Sequence, residues 1–425
     1  MQGLRTLRAT GRFLSLAALA ACLTAATALA QTETILYDFT GDSNGASPSG
    51  RLLPDGHGNY YGVTSDTSTT YGTVYEMSPA SGGGWTLTTI YTFQGGVDGA
   101  NPDNLAMDIN GNILGETNYG GTGKSDYCNG GCGTVFELYP NGVGWEKVTL
   151  WNFQASSTKD GAYPVGGIVL DPQGNLYGET LLGGGTCSFS DSGCGTVFEL
   201  NRNSSGAWVE TILRRFQGSS GANPSGGLTF DSVGNLYGAT IDGGPSLPDC
   251  YFGCGTIFRM SPKSGGGWTS SLLHSFNGAN GITPYGGVVP DSKGNLYGTT
   301  AGDAAGTGGI IFQLQPSGTA WKEIPLFEFN GTTAGAGPYT PLTFDSHGNL
   351  YGTVPDAGAA CWCGLVFKLT QVSGKWHEST VYEFQGAPDG AQPAGPVTID
   401  SAGNIVGVTG LGGTANLGAI YEITP

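Results

Sequence analysis

Four histidines, nine cysteines and 33 acidic residues are the side chains of this 425-residue chain that could hold a metal or move a proton. His57, His274, His347 and His377 stand far apart, and no pair of them has metal-ligand spacing. No nucleophile elbow, phosphate-binding loop or dinucleotide fingerprint occurs. No catalytic residue, metal site or cofactor is therefore expected from local spacing, although carboxylates contributed by distant segments could still meet in the fold. The cysteines carry more information. Cys22 stands alone, and the other eight form close pairs: Cys128 with Cys132, Cys187 with Cys194, Cys250 with Cys254, and Cys361 with Cys363. An exported chain would oxidise such pairs to disulfides. Zinc is the rival reading, weakened because no histidine accompanies any pair. The Cys361-x-Cys363 spacing is short for a bridge, so its redox state is left open.

A second recurrent group is Asp-Gly-Ala-x-Pro, at Asp98, Asp160 and Asp389, with Asn44 and Asn280 standing for the aspartate elsewhere. These aspartates either cap local turn amides or form a ring of polar groups around a channel mouth. Aromatic residues sit inside or beside the cysteine pairs: Tyr127, Phe189, Tyr251, Phe252 and Trp362. They are candidate ligand contacts, unless they pack down on the loop base.

The elements that would position these residues are repeats. Asp-x-x-Gly-Asn occurs seven times, with its asparagine at 59, 112, 175, 235, 295, 349 and 404. Aspartate can accept the amides that follow it and glycine supplies positive φ, so each copy predicts a β-hairpin with a type I turn and a glycine bulge. Calcium binding is the alternative, but one carboxylate per copy falls short of the oxygens that ion needs. A third strand follows each hairpin, from Gly72, Gly133, Gly195, Gly255, Gly309, Gly364 and Gly418. A fourth runs from Trp to Phe: 85 to 93, 145 to 153, 208 to 216, 268 to 276, 321 to 329 and 376 to 384. Their even separation of eight predicts that both rings share one face of the strand.

Four strands repeated seven times predict an all-β, seven-bladed β-propeller. The last repeat stops after its third strand, while Glu33–Phe39 has the character of a fourth. The N-terminal strand is thus expected to complete the last blade, leaving no open edge. A linear β-solenoid would not explain these complementary ends. In a propeller the cysteine-bearing loops, between strands two and three, share a face with the Asp-Gly-Ala-x-Pro connections. Loops of varied length on a constant scaffold are where function is expected.

Residues 1–30 differ from the rest. Arg5, Arg8 and Arg12 precede an apolar run from Phe13 to the small residues Ala28-Leu29-Ala30, as in a secretory signal peptide. Residues 31–425 are then a single propeller domain. Leu19-Ala20-Ala21-Cys22 also resembles a lipoprotein box, so lipidation of Cys22 is the alternative processing and the one expected route to a membrane. No later stretch approaches the ~20 apolar residues of a membrane helix. The formal charge is -17, and residues 1–30 hold three arginines and no acid. So acidic a chain is a poor partner for nucleic acid or anionic lipid.

The chain resembles the choice-of-anchor tandem repeat GloVer proteins. The residues that carry the resemblance are Gly-Asn-Leu-Tyr-Gly at 234–238 and 294–298, Gly-Thr-Val-Phe-Glu-Leu at 133–138 and 195–200, and Gly-Gly-Gly-Trp at 82–85 and 265–268. It covers nearly all of the chain after the leader. It implies an exported bacterial repeat protein, secreted, periplasmic or at the cell surface, and implies no catalytic residues. Three function classes follow: a binding module for a protein or glycan, a glycan-active propeller enzyme with its site at the channel mouth, or a structural envelope protein. A monomer is expected.

Overall fold

A computed structural model describes residues 31–424 apart from 66–69, 129, 156–159, 189, 249, 304, 305, 307, 332–336 and 360. The leader, and with it the expected cleavage and lipidation sites, lies outside the described residues. The strands form seven antiparallel sheets, six of them taking their strands from one repeat each. Blades 1 to 6 span 48–92, 100–152, 161–215, 222–275, 288–328 and 343–383. Blade 7 takes three strands from 390–424 and its outer strand from Thr32–Asp38, which pairs with Ala419–Thr424. The chain is a seven-bladed β-propeller closed by its N-terminal strand. The only helical turn among the described residues is Gly96–Asp98.

Each Asp-x-x-Gly-Asn turn is built alike. In blade 3, Asp171 Oδ1 accepts the Asn175 amide at 2.9 Å and Oδ2 accepts the Asn175 side chain at 2.8 Å. The Asp171 amide returns to the Asn175 carbonyl. The other six aspartates bond their asparagines in the same way. All their oxygens serve the turn, as the hairpin reading requires.

The core lies between blades, in seven clusters, one per interface. Here the Trp–Phe expectation is corrected. Trp145 packs between blades 1 and 2, whereas Phe153 packs between blades 2 and 3. The cause is a β-bulge in every outer strand, between Thr149 and Trp151 in blade 2 and at the equivalent place elsewhere. One extra residue reverses the facing of everything beyond it. The tryptophan therefore covers the preceding blade and the phenylalanine the following one. At every interface the outer-strand phenylalanine meets an aromatic of the next blade's third strand, as Phe153 meets Phe198 with centroids 5.1 Å apart and Phe384 meets Tyr421 at 5.0 Å. Edge-to-face pairs of this kind add about 1 kcal/mol beyond their buried area.

Candidate functional site

Each inner strand starts at the connection and ends at the Asp-x-x-Gly-Asn turn, so the connections and the cysteine loops lie at one end of the ring, the loop face. The connection is fixed by a hook repeated in all seven blades. The residue before its proline has φ near +50°, or is Gly337, and donates its amide to the residue preceding the strand-three glycine of the previous blade. Tyr163 donates to Cys132, Asn223 to Cys194, Thr283 to Cys254 and Gln392 to Cys363. The proline ring then lies on that glycine: a Cβ on Gly195 would stand 2.5 Å from Pro224 Cδ and 2.3 Å from the Thr180 carbonyl. The second cysteine of each pair thus carries the carbonyl that holds the next blade. All four pairs are disulfide-bonded, Cys361–Cys363 included, with Cα–Cα distances of 5.1 to 5.3 Å.

The connection aspartates serve this joint and do not ring the channel. Asp98 accepts the Gln94 amide and the Tyr91 hydroxyl, both at 2.8 Å, and pairs with Lys147 of blade 2 at 3.0 Å. Asp160 accepts the amides of Gln154 and Gly161 at 2.7 Å and shares a hydrogen bond with Glu210, whose carboxyl is pushed up to about 9 by burial and then by Asp160. Asp389 accepts the Gln385 and Gly390 amides and the Tyr382 hydroxyl. Glu33 of the closing strand is pushed up to about 7, first by burial and then by Asp389. On the outer strands His274 meets Glu323 at 2.9 Å, a further joint of this type.

The aromatics divide. Tyr251 is 78% exposed, Trp362 52% and Phe252 46%. Tyr127 instead packs against the core between blades 2 and 3, its hydroxyl donating to the Ala155 carbonyl at 2.9 Å. It is a loop prop, because its ring covers apolar core that the loop would otherwise leave wet. Phe189 lies outside the described residues. Sequence reasoning missed Tyr71, Tyr119 and Tyr339, which are 49%, 47% and 43% exposed. These six are the exposed aromatic side chains among the described residues, and all lie on the loop face. The opposite face exposes aliphatics such as Ile109 and Val233.

On the axis of this face is a cavity of about 300 Å³ to which all seven blades contribute. Its wall is the residue after each connection proline: Ser49, Asp103, Val165, Ser225, Tyr285, Tyr339 and Ala394. Tyr285 and Tyr339 stand edge to face with centroids 5.5 Å apart. Asp103 Oδ2 accepts the Gly166 amide at 2.9 Å, and Oδ1 accepts the Asn104 amide at 2.8 Å. Asn104 Oδ1 accepts the Arg51 amide at 2.7 Å. Arg51 of blade 1 donates to Thr343 Oγ1 of blade 6 at 3.1 Å, and desolvation lowers its pKa. Between blades the inner strands touch through glycine: a Cβ on Gly166 would lie 2.3 Å from the Gly227 nitrogen. Behind Asp103 the buried carboxyl of Glu116 accepts the Gly167 amide at 2.8 Å. Its pKa is raised well above the usual carboxylate range by burial and then by Asp103. No group of three or more metal-ligating side chains occurs among the described residues.

The repeat that builds this ring matches a known family model, the Gloeobacter/Verrucomicrobia repeat, over residues 23–247 and 248–425. The chain belongs to that family. No curated protein matches this GloVer chain in sequence. Solved structures share its architecture. The extracellular domain of a protein assigned as a one-component system from B. thetaiotaomicron aligns with a TM-score of 0.54 at 11% identity, over 93% of this chain and 41% of that one. Puromycin hydrolase aligns with a TM-score of 0.53 at 13% identity, over 88% and 52%. PorZ, a surface component of the type-IX secretion system of Porphyromonas gingivalis, aligns with a TM-score of 0.50 at 13% identity, over 92% and 47%. This GloVer chain spans about half the length of each of the three, and identities this low show the propeller fold alone.

Proposed function

We propose that this protein is an exported binding module that engages a protein or glycan ligand with its loop face. The observation that carries the reading is the placement of the exposed aromatic rings, all on that face around an axial cavity. Aromatic side chains offer large contact area at small entropic cost, and loops held by short crosslinks lose less freedom on binding. Export is supported by the signal-like leader and by four disulfides, which persist in oxidising compartments. A binding role is favoured over catalysis because one carboxylate, Asp103, lines the axial cavity, and both its oxygens accept amides. The excess of acid argues against nucleic acid as a partner. We expect a monomer that reaches a membrane only if Cys22 is lipidated.

The test compares the two faces. Binding of the exported protein to isolated cell envelopes and to insoluble polysaccharides should weaken roughly tenfold or more in a Tyr251→Ala, Trp362→Ala variant, with the melting temperature within about 2 °C of wild type. His57→Ala and His347→Ala, at exposed turns of the other face, should bind like wild type. Loss of binding in the histidine variants with full binding in the aromatic ones would put recognition on the wrong side.

A further inference from the structure

Two depressions of the loop face share residues. Tyr339 and Thr340 line the axial cavity and also a groove of about 490 Å³ between blades 6 and 7. The groove continues over Pro355, Pro393 and Leu411, so the two depressions adjoin at Tyr339, Thr340 and Ala394 and together run outward from the axis as a cleft of two parts. Its two ends differ in chemistry. The axial end presents Ser49, Asp103, Asn104 and Ser225, a set of hydroxyl, carboxylate and amide groups that can both donate and accept. The outer end is apolar. At the junction stands Tyr339, oriented by its edge-to-face contact with Tyr285. The Gln392 wall of the groove is hooked to Cys363, next to Trp362.

We propose that this cleft binds the end of a linear, neutral glycan. The terminal sugar enters the axial cavity, where Asp103, Asn104 and Ser225 bond its hydroxyls. The following rings lay their apolar faces on Tyr339 and along the groove towards Trp362. Three observations select this ligand. The pattern of a pocket of mixed polar and apolar lining beside a more apolar trough matches a molecule whose rings have hydroxylated edges and C–H faces. The cavity, at about 300 Å³, is at the small end of ligand pockets, and so takes the end of a chain more readily than a chain passing through. The cavity wall itself holds Asp103 and no lysine or arginine, Arg51 is committed to Thr343 Oγ1, and the chain carries a charge of -17, which together disfavour uronic acids.

This inference rests on the loop-face reading, and its test separates the two. The exported protein would be titrated calorimetrically with linear cello-, xylo-, malto- and laminari-oligosaccharides of increasing length, with α-cyclodextrin as a glucan without ends, and with trigalacturonate as an anionic chain. At least one neutral linear series should bind, with affinity rising over the first few units and then levelling. Cyclodextrin and trigalacturonate should not bind. Tyr339→Ala should weaken binding roughly tenfold or more without changing the melting temperature, and Asp103→Asn, which also loses an acceptor for the Gly166 or Asn104 amide, should weaken it as much at a temperature where the variant is folded. Binding of cyclodextrin or trigalacturonate as tightly as the linear series, or unchanged affinity in Tyr339→Ala, overturns the proposal. If no neutral oligosaccharide binds while the Tyr251 and Trp362 variants still lose envelope binding, the glycan-end proposal falls and the loop-face reading stands.

Discussion

Glu116 and Glu179 occupy one position on the second strands of blades 2 and 3, where the other blades carry Val63, Ala239, Thr299, Thr353 and Val408. Both are fully buried, and burial raises both pKa values well above the usual range, helped by Asp103 for Glu116 and by Glu116 for Glu179. Glu116 Oε2 has no hydrogen-bond partner among the described residues. Burial therefore favours the protonated form of both carboxyls in the native state, opposed at Glu179 by the Gly227 amide and Arg214, whereas the unfolded chain ionises them near the ordinary value of 4.5. A raised native pKa means stability that is complete at acid pH and falls as pH rises through the native value. Glu33, near 7, and Glu210, near 9, act in the same direction. The melting temperature should be higher at pH 5 than at pH 8. Glu116→Gln should raise it at pH 8 by a few degrees and flatten the profile, read by calorimetry across pH. A profile that climbs from pH 5 to pH 8 would contradict these assignments.

Among elements, the joint between blades is the least forgiving. Gly195 has a φ of +91° and lies against both the Thr180 carbonyl and the Pro224 ring. Gly195→Ala should therefore cost more than about 2 kcal/mol in denaturant unfolding, since it adds strain and a backbone clash together. Gly174→Ala, in an open turn where no atom lies within 4 Å, should cost less, from its positive φ alone. The strand order was legible in the sequence because Asp-x-x-Gly-Asn and the strand-three glycines are local devices, in which one residue type satisfies its own turn. The facing of Trp85 and Phe93 was not, because a bulge is a property of pairing with the next strand and leaves their separation of eight unchanged. The axial wall was hidden for another reason. Its seven positions carry Ser, Asp, Val, Ser, Tyr, Tyr and Ala, which have no common pattern until the ring brings them together. One signal was available. The connection proline precedes the turn aspartate by six residues in blade 2 and by seven elsewhere, and in that shortened strand Asn104 alone stands after the wall position where the other blades carry two residues, the first of them glycine in all but blade 6.

At the scale of the whole molecule, the ring is held by side chains that each blade lends to its neighbour. The closing strand supplies blade 7 with Phe39, which is fully buried against Tyr75 of blade 1. Its Asp38 accepts the Thr414 amide at 3.0 Å. Removing residues 31–41 forfeits that core residue, worth about 3–5 kcal/mol by itself, and exposes the edge of Ala419–Thr424. The truncated protein should melt more than about 10 °C lower or aggregate, and an unchanged melting temperature would refute closure as a source of stability. The closed ring also makes the axial cavity, which exists only when all seven inner strands converge. Hydrogen exchange of the exported protein, free and bound to cell-envelope polysaccharide, tests the loop-face proposal most directly. The account predicts slowed exchange at 103–104, 225–226, 339–341 and 392–396, with the turns at 55–59, 171–175 and 345–349 unchanged. Protection at those turns, with the axial and groove segments exchanging as in the free protein, would contradict it.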